Sequence, residues 1–377
     1  MTEVEAPPIV DDGRDIITNS RLSTFRDCAM KHALMYEDGI RPVQTEEALR
    51  LGSLFHVGLE AWWSTVKTQD AGIKSAEDAE TYELGDALHD AWRAAIAAVR
   101  EFPDTDQVVQ VKVEEMLRAY HTKYRYDAMQ FEVLQVEVRF EARLVNPDTM
   151  HASKTFLLGG KIDVIAKLRK DGSVGVIEHK TSSENIGADS DYWAKLAMDP
   201  QISFYVIGAE SLGLEPAWTL YDVAKKPDLR PLEATPRDKW EFKQRRTAEE
   251  KTWAEDDPRL LYARCRATGE SLEEYRARVR ALLEEEGSLE RFFARRIISR
   301  TQSQMYDFLA DTWVHARSIA EFRAKGRRPR NPSACHRFGT CAYWKHCAYG
   351  EPLTEETDGG KWRRLSYVHP ELLEVRS

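Results

Sequence analysis

Two carboxylates and a lysine stand where they can act together. The middle of the chain reads Leu158-Gly159-Gly160-Lys161-Ile162-Asp163-Val164 and then Val176-Ile177-Glu178-His179-Lys180-Thr181. Period-two strand geometry puts Glu178 and Lys180 on one side of their strand, and hairpin pairing brings Asp163 alongside. Burying such charges is costly unless something pairs them, and a divalent cation does so. Mg²⁺ or Mn²⁺ takes hard oxygen ligands, generates hydroxide and orients a phosphodiester, leaving Lys180 to position water or offset charge. A structural salt bridge also looks like a D…E-x-K pattern, so the neighbours matter.

Upstream, Gly52-Ser53-Leu54-Phe55-His56 places a histidine in an apolar helix, as a ligand or as a core residue. Downstream, Gln201 and Tyr205 lie one turn apart on a helix that follows the strands, either facing the acids or forming a polar edge and a core aromatic. Glu137, in the preceding strand, is a further acid.

Five cysteines are too few for a disulfide framework in a chain of 377 residues and fit a reducing compartment. Cys335, Cys341 and Cys347 stand at C-x5-C-x5-C, Cys28 lies near the other end, and Cys265 is alone. Thiolates suit iron–sulfur clusters and zinc alike, the latter with His336 or His346 as a further ligand. The short knuckles usual for structural zinc are missing. A shared group would tie the chain together across ~300 residues. Phe338, Tyr343, Trp344 and Tyr349 alternate with Arg337 and Lys345 there, as a stacking surface for unpaired bases or as a wrapping for the group.

Helices must carry these residues. The spacing predicts them over Ser20–Met35, Glu46–Val66 (with Leu49, Leu54, Leu59 and Trp62 inward), Glu83–Glu101 and Val108–Met129. Alternation from Phe131 to Leu144 marks a strand, Asn146-Pro147-Asp148 a turn, and Phe156–Leu168 and Val174–His179 two more strands. A helix over 200–212 and a strand over 217–223 complete an α/β core with a mixed sheet. Helices are expected at 271–286, supported by Glu274 with Arg278, then at Leu289–Arg300 and Gln302–Lys325, with Gly326 as the stop. The chain thus divides into a loose tail (1–15), a helical region with Cys28 and His56 (16–130), a core (131–224), a helical region (225–330), a cysteine loop (331–350) and a C-terminal tail (351–377).

Composition narrows the classes. Apolar residues at 42% exclude wholesale disorder, no apolar run is long enough to span a membrane, and the acidic start is no signal peptide, which points to the cytoplasm. Net charge is −9, yet residues 288–350 hold 12 Lys/Arg against 4 Asp/Glu, enough to attract a polyanion locally. The alternative is that Arg323, Lys325, Arg327, Arg328 and Arg330 form a solvated helix end. No G-x-x-x-x-G-K-[ST] occurs, so a P-loop motor is excluded.

In this order the residues resemble the RecB-type branch of the PD-(D/E)XK nuclease superfamily. That pattern runs G-x-x-x-H, G-x-x-D, (D/E)-x-K-T and Q-x-x-x-Y, matched by Gly52 with His56, Gly160 with Asp163, Glu178 with Lys180 and Thr181, and Gln201 with Tyr205. Ile162 replaces the proline before Asp163, and His179 fills a position more often apolar. The resemblance implies a restriction-endonuclease-like α/β core, a mixed central sheet flanked by helices, with helical insertions. It implies Mg²⁺ or Mn²⁺ on His56, Asp163, Glu178 and the His179 carbonyl, Lys180 as the catalytic lysine, and Gln201 and Tyr205 contacting DNA or supporting the site. The iron–sulfur members, similar to CRISPR-adaptation and AddB-like exonucleases, imply a 4Fe–4S cluster on Cys28, Cys335, Cys341 and Cys347. The implied activity is a metal-dependent DNA nuclease, an exonuclease at ends or in single strands, with a helicase, recombinase or CRISPR-adaptation partner. The alternative is a DNA-binding or scaffold subunit of such a complex whose own site does little.

Overall fold

The computed structural model describes residues 13–43, 47–70, 84–103, 105–239, 252, 265–337, 339–354 and 361–372. Most of the tail at 1–15, Glu46, Glu83, the Leu49 side chain and Phe338 lie outside them.

The N-terminal part contains β1 (Asp15–Ile17), α1 (Asn19–Asp27), α2 (Ala29–Tyr36), β2 (Ile40–Pro42), α3 (Glu47–Asp70), α4 (Leu84–Glu101), α5 (Gln107–Tyr124) and α6 (Asp127–Gln130). The sheet follows with β3 (Phe131–Val145), β4 (Ala152–Leu168) and β5 (Val174–Ser182). Next come α7 (Asp191–Leu196), α8 (Pro200–Ser211) and β6 (Trp218–Lys225). The chain continues through α9 (Leu272–Glu284), α10 (Ser288–Phe292), β7 (Phe293–Ile297), α11 (Gln302–Ala324), α12 (Trp344–Tyr349) and β8 (Trp362–Arg364).

The expected α/β core with a mixed central sheet is present. β4 is its axis: β3 runs antiparallel along one edge, while β1 and β5 share the other. β1 takes Phe156–Leu158 in parallel and β5 takes Val164–Lys167 antiparallel. β6 then joins β5 in parallel after the α7–α8 crossover, and β7 closes the sheet antiparallel to β6. Helices cover both faces, as a sheet buried on both sides demands. Trp62, Trp63, Tyr120, Ile177 and Leu220 belong to one core; Phe140, Ile162, Phe204, Phe308 and Ile319 belong to the other. On the second face Phe140 sits in a slot between two glycines. A methyl at Gly160 or Gly208 would meet its ring at 2.7 or 2.6 Å, so their bareness lets α8 lie close on the sheet.

Several expectations change. The helix expected over Ser20–Met35 begins at Asn19 with Thr18 as its cap, and it breaks at Cys28, which is extended (φ −162°, ψ 116°). Asp15 is no tail residue: both its oxygens grip the buried Arg21 at 2.7 and 2.9 Å, and Arg323 joins at 2.7 Å. Leu289–Arg300 is not one helix. From Phe293 it becomes β7, because the bare edge of β6 offers ladder partners that outweigh helix propensity. Glu274 does not pair with Arg278. It closes a capping box with Ser271, while Arg278 holds Glu270 at 2.8 Å. In the C-terminal tail, β8 pairs with β2, and Glu371 accepts from Thr18 at 2.8 Å.

Candidate metal and active site

The β4–β5 ladder stops at Val164–Ile177. One step further, Asp163 and Glu178 would face each other, and like charges in register oppose pairing. The strands part at that step. On the other edge of β4, Val136 pairs with Val164 and Val138 with Ile162, which sets Glu137 across from Asp163. Glu137 adopts φ 51°, a left-handed backbone for a non-glycine residue in mid-strand, and strain of this kind gathers at functional sites.

α3 closes the cleft from above. A methyl at Gly52 would meet Thr181 Oγ1 at 3.0 Å, so the helix rests on the end of β5. One turn on, His56 Nδ1 is 3.7 Å from Asp163 Oδ2. His56, Glu137 and Asp163 each offer a ligand atom, all within 4.8 Å of one another. Asp163 Oδ2 also accepts from the His179 backbone N–H at 2.8 Å. Glu178 lies beside this trio. Its Oε1 accepts from Lys180 Nζ at 2.6 Å and from Gln201 Nε2 at 2.8 Å, and Gln201 Nε2 lies 2.6 Å from the Tyr205 hydroxyl. Its Oε2 is buried with no hydrogen-bond partner. Lys161 pairs with Glu137.

The charges are crowded. Burial, then repulsion from Glu178 and Glu137, holds the Asp163 carboxyl well above its usual range. Burial raises Glu178 too, against the pull of Lys180. Burial opposes a charge on Lys180, but Glu178 and Asp163 outweigh it and leave the ammonium above its usual range. His56 keeps 32% of its side chain exposed at the cleft mouth. The surrounding protein and then the charges of His179, Lys180 and Lys161 still lower it to about 3, so the ring is neutral and has a lone pair to offer. Three carboxyls, one of them with a buried oxygen that lacks a hydrogen-bond partner, and a neutral imidazole are a donor set that fits a divalent cation, and the two ammonium groups balance the remaining charge.

The structure therefore brings together His56, Asp163, Glu178, Lys180, Gln201 and Tyr205, and makes Glu137, the further acid of the preceding strand, one of the compact trio. The His179 ring lies on the opposite face of β5 from Glu178 and Lys180, with its centroid 6.4 Å from that of His56. It is buried against Trp63 and Tyr120, with Nδ1 3.3 Å from Asp222 Oδ2. Asp222 also accepts from Tyr120 at 2.6 Å and Arg295 at 2.8 Å, and Arg295 reaches Asp127 at 2.7 Å. This buried network braces the β5 backbone that meets Asp163. Sequence reasoning missed it, although an acid inside the otherwise uncharged stretch Trp218–Ala224 was its signal.

The cysteines also converge. Cys28 occupies the break between α1 and α2, and Met30 N–H donates to the Pro329 carbonyl at 2.9 Å, joining the two ends of the chain there. All five thiols are free. Burial raises Cys335 and Cys347, and the charges of Cys28 and Cys341 raise both further. Cys28, Cys335, Cys341 and Cys347 thus lie in one region, yet among the described residues no three lie within 4.8 Å of one another. His346 Nδ1 is turned to the Glu351 carbonyl at 2.8 Å. The basic run is largely paired internally. Arg323 holds Asp15 and Glu37, Arg328 holds Asp38, Lys325 holds Glu321, and Arg337 reaches Asp27.

A mixed sheet whose axial strand delivers an acid into a fork beside an E-x-K strand defines the restriction-endonuclease-like class of fold. The sequence profile of the PD-(D/E)XK nuclease superfamily matches residues 17–348, and the chain belongs to that superfamily. It is thus a nuclease of a group that uses divalent metals. No curated protein matches the chain. No helix among the described residues is long and apolar enough to cross a membrane.

Proposed function

We propose that the chain is a Mg²⁺- or Mn²⁺-dependent deoxyribonuclease of the RecB type, acting as an exonuclease on DNA ends or single strands in the cytoplasm. The observation that carries this reading is the fork between β4 and β5, where Asp163 and Glu178 face a neutral His56 and a charged Lys180. His56, Asp163 and Glu178 are the metal ligands, with the His179 carbonyl, and Glu137 supplies a further carboxylate. A bound cation supplies Lewis acidity and a water of lowered pKa. Lys180 holds a positive charge at the cleft, where charge develops on a phosphodiester under attack. Gln201 donates to Glu178 and locks its rotamer, and Tyr205 backs Gln201. The exonucleolytic mode rests on resemblance alone.

The test is digestion of end-labelled single-stranded and duplex DNA with Mg²⁺ or Mn²⁺, with EDTA as control. Lys180→Ala should lower cleavage at least about 10³-fold, in line with loss of preorganised charge stabilisation, while leaving the fold intact. Cleavage by that variant at the wild-type rate would refute the assignment. A DNA-binding scaffold would bind the same oligonucleotides and cut neither.

A 4Fe–4S cluster on Cys28, Cys335, Cys341 and Cys347 is the second part of the proposal. Support comes from the spacing of the thiols. The order C-x5-C-x5-C lacks the short C-x2–4-C knuckles usual for structural zinc. Anaerobically purified protein should absorb in the blue-violet and contain iron and sulfide. Equimolar zinc without iron would overturn the cluster.

A further inference from the structure

Beyond the fork lies a second feature, a cavity of about 790 Å³ at the carboxyl ends of β5 and β6. Ser182 and Lys225 are the last pair of that parallel ladder, and Ser183 lines the cavity wall. Leu51, next to the glycine that rests on Thr181, lines it from α3. In open α/β sheets the crevice at the strand carboxyl ends is where ligands sit. Ser183 follows Lys180 by three residues, about 10 Å along a strand. That is about three nucleotides of stacked strand at 3.4 Å each.

Among the described residues the lining carries Lys112, Lys225, Lys226, Arg230 and Arg291 against the single acid Asp228. This is a local excess of cations in a chain of net charge −9. Arg291 also reaches Glu285 at 3.1 Å and so belongs to the rim. Lys112 is only 5% exposed, and burial holds Lys226 below the usual lysine range. The segment that presents these cations is pinned by its backbone at three points. Lys226 N–H donates to the Ser182 carbonyl at 2.8 Å, Tyr275 to the Leu229 carbonyl at 2.9 Å and Arg278 to the Arg230 carbonyl at 2.6 Å. A backbone so fixed needs no further ordering of its own when the side chains meet a ligand.

We infer that this cavity seats the phosphodiester backbone of the DNA strand next to the bond being cut, with Lys225, Lys226 and Arg230 as its phosphate contacts. The inference rests on the nuclease reading and adds a strand-holding site to it. Each phosphate neutralised on a single strand adds about 0.7 to the dependence of log affinity on log salt. Losing two contacts should therefore lower that slope by about 1.4.

The test uses the full chain and a fluorescein-labelled single-stranded DNA of 20 nucleotides, in EDTA so that nothing is cut. Fluorescence anisotropy is read from about 50 to 200 mM KCl, the range over which such contacts weaken measurably. The Lys225→Glu, Lys226→Glu double variant should bind at least ten-fold more weakly with the lower slope, whereas Lys154→Glu on the exposed β3–β4 hairpin should bind as wild type. Should the reversed pair fail to fold, Lys225→Gln with Lys226→Gln should still lower the slope. An unchanged slope in whichever pair folds, or no binding by the wild type, overturns the inference. Mn²⁺-dependent hydrolysis of bis(p-nitrophenyl) phosphate, which has one phosphate, separates the two readings. Wild-type rates in the lysine variants support a seat remote from the chemistry, and a matching loss there overturns it. A wild type that binds DNA through these lysines but hydrolyses neither substrate overturns the nuclease reading and, with it, the placement of the seat beside a bond being cut, leaving a DNA-binding surface alone.

Discussion

Asp163→Asn should stabilise the metal-free protein while destroying its function. The residue is 8% exposed and shares the fork with Glu178 and Glu137, so in the absence of a cation its charge is desolvated and repelled. Asparagine keeps the shape, and its carbonyl oxygen can still accept the His179 N–H now held at 2.8 Å. Removing the charge should gain about 1–2 kcal/mol, the scale of relief found at sites where function strains the fold. For a chain of 377 residues that corresponds to a rise of about 1–3 °C in melting midpoint. Saturating Mn²⁺ should reverse the order. A cation at a hundred times its dissociation constant stabilises the wild type by about 2.7 kcal/mol and leaves the variant nearly unmoved. The assay is a thermal melt of both proteins in EDTA and across a Mn²⁺ series, beside cleavage of end-labelled DNA. If the variant melts below wild type in EDTA, or gains as much from Mn²⁺, the crowded-carboxylate argument is wrong.

Glu137→Gln should raise the Mn²⁺ concentration for half-maximal cleavage about 10–100-fold, the penalty seen for groups that tune a metal site. An unchanged Mn²⁺ dependence would remove Glu137 from the trio. Asp222→Ala leaves Arg295 and Tyr120 buried without their shared acceptor, and should cost about 3–5 kcal/mol in denaturant unfolding. A loss under 1 kcal/mol would mean that the network braces nothing. Burial, then the charges of Arg21 and Arg323, lowers His32 to about 3, below its ordinary 6.5. Its unfolded form therefore binds protons first, so its contribution is complete above about pH 6.5 and is lost as pH falls toward 3. At pH 5 the loss is about 2 kcal/mol. His32→Gln, still able to accept from Arg21 Nε, should lose correspondingly less between pH 7 and pH 5. Equal losses in the two proteins would refute this.

Much of the site was legible because its signals are local. His56, the E-x-K strand and the Gln201–Tyr205 turn each need only period-two or period-3.6 geometry to show which side chains share a face. The capping chemistry around residue 271 was half legible. Ser271 and Glu274 form a capping-box pattern, but Glu274 also satisfies the i, i+4 pairing rule with Arg278, and only the competing position of Glu270 decides between them. β7 misled for a related reason. Phe293–Ile297 has no strong intrinsic preference, and the open edge of β6 chooses for it.

What the sequence determined alone was the order of helices and strands, the identity of most chemistry-bearing side chains and the convergence expected of Asp163 with Glu178. Only the tertiary structure decided that the β4–β5 ladder ends one step short of that pair, that register sets Glu137 opposite Asp163, and that Asp222 and Arg295 brace His179. Pattern along a chain reports which face a residue occupies. It carries no information about which distant strand supplies the neighbour, because that depends on pairing register and on the summed cost of burying charge.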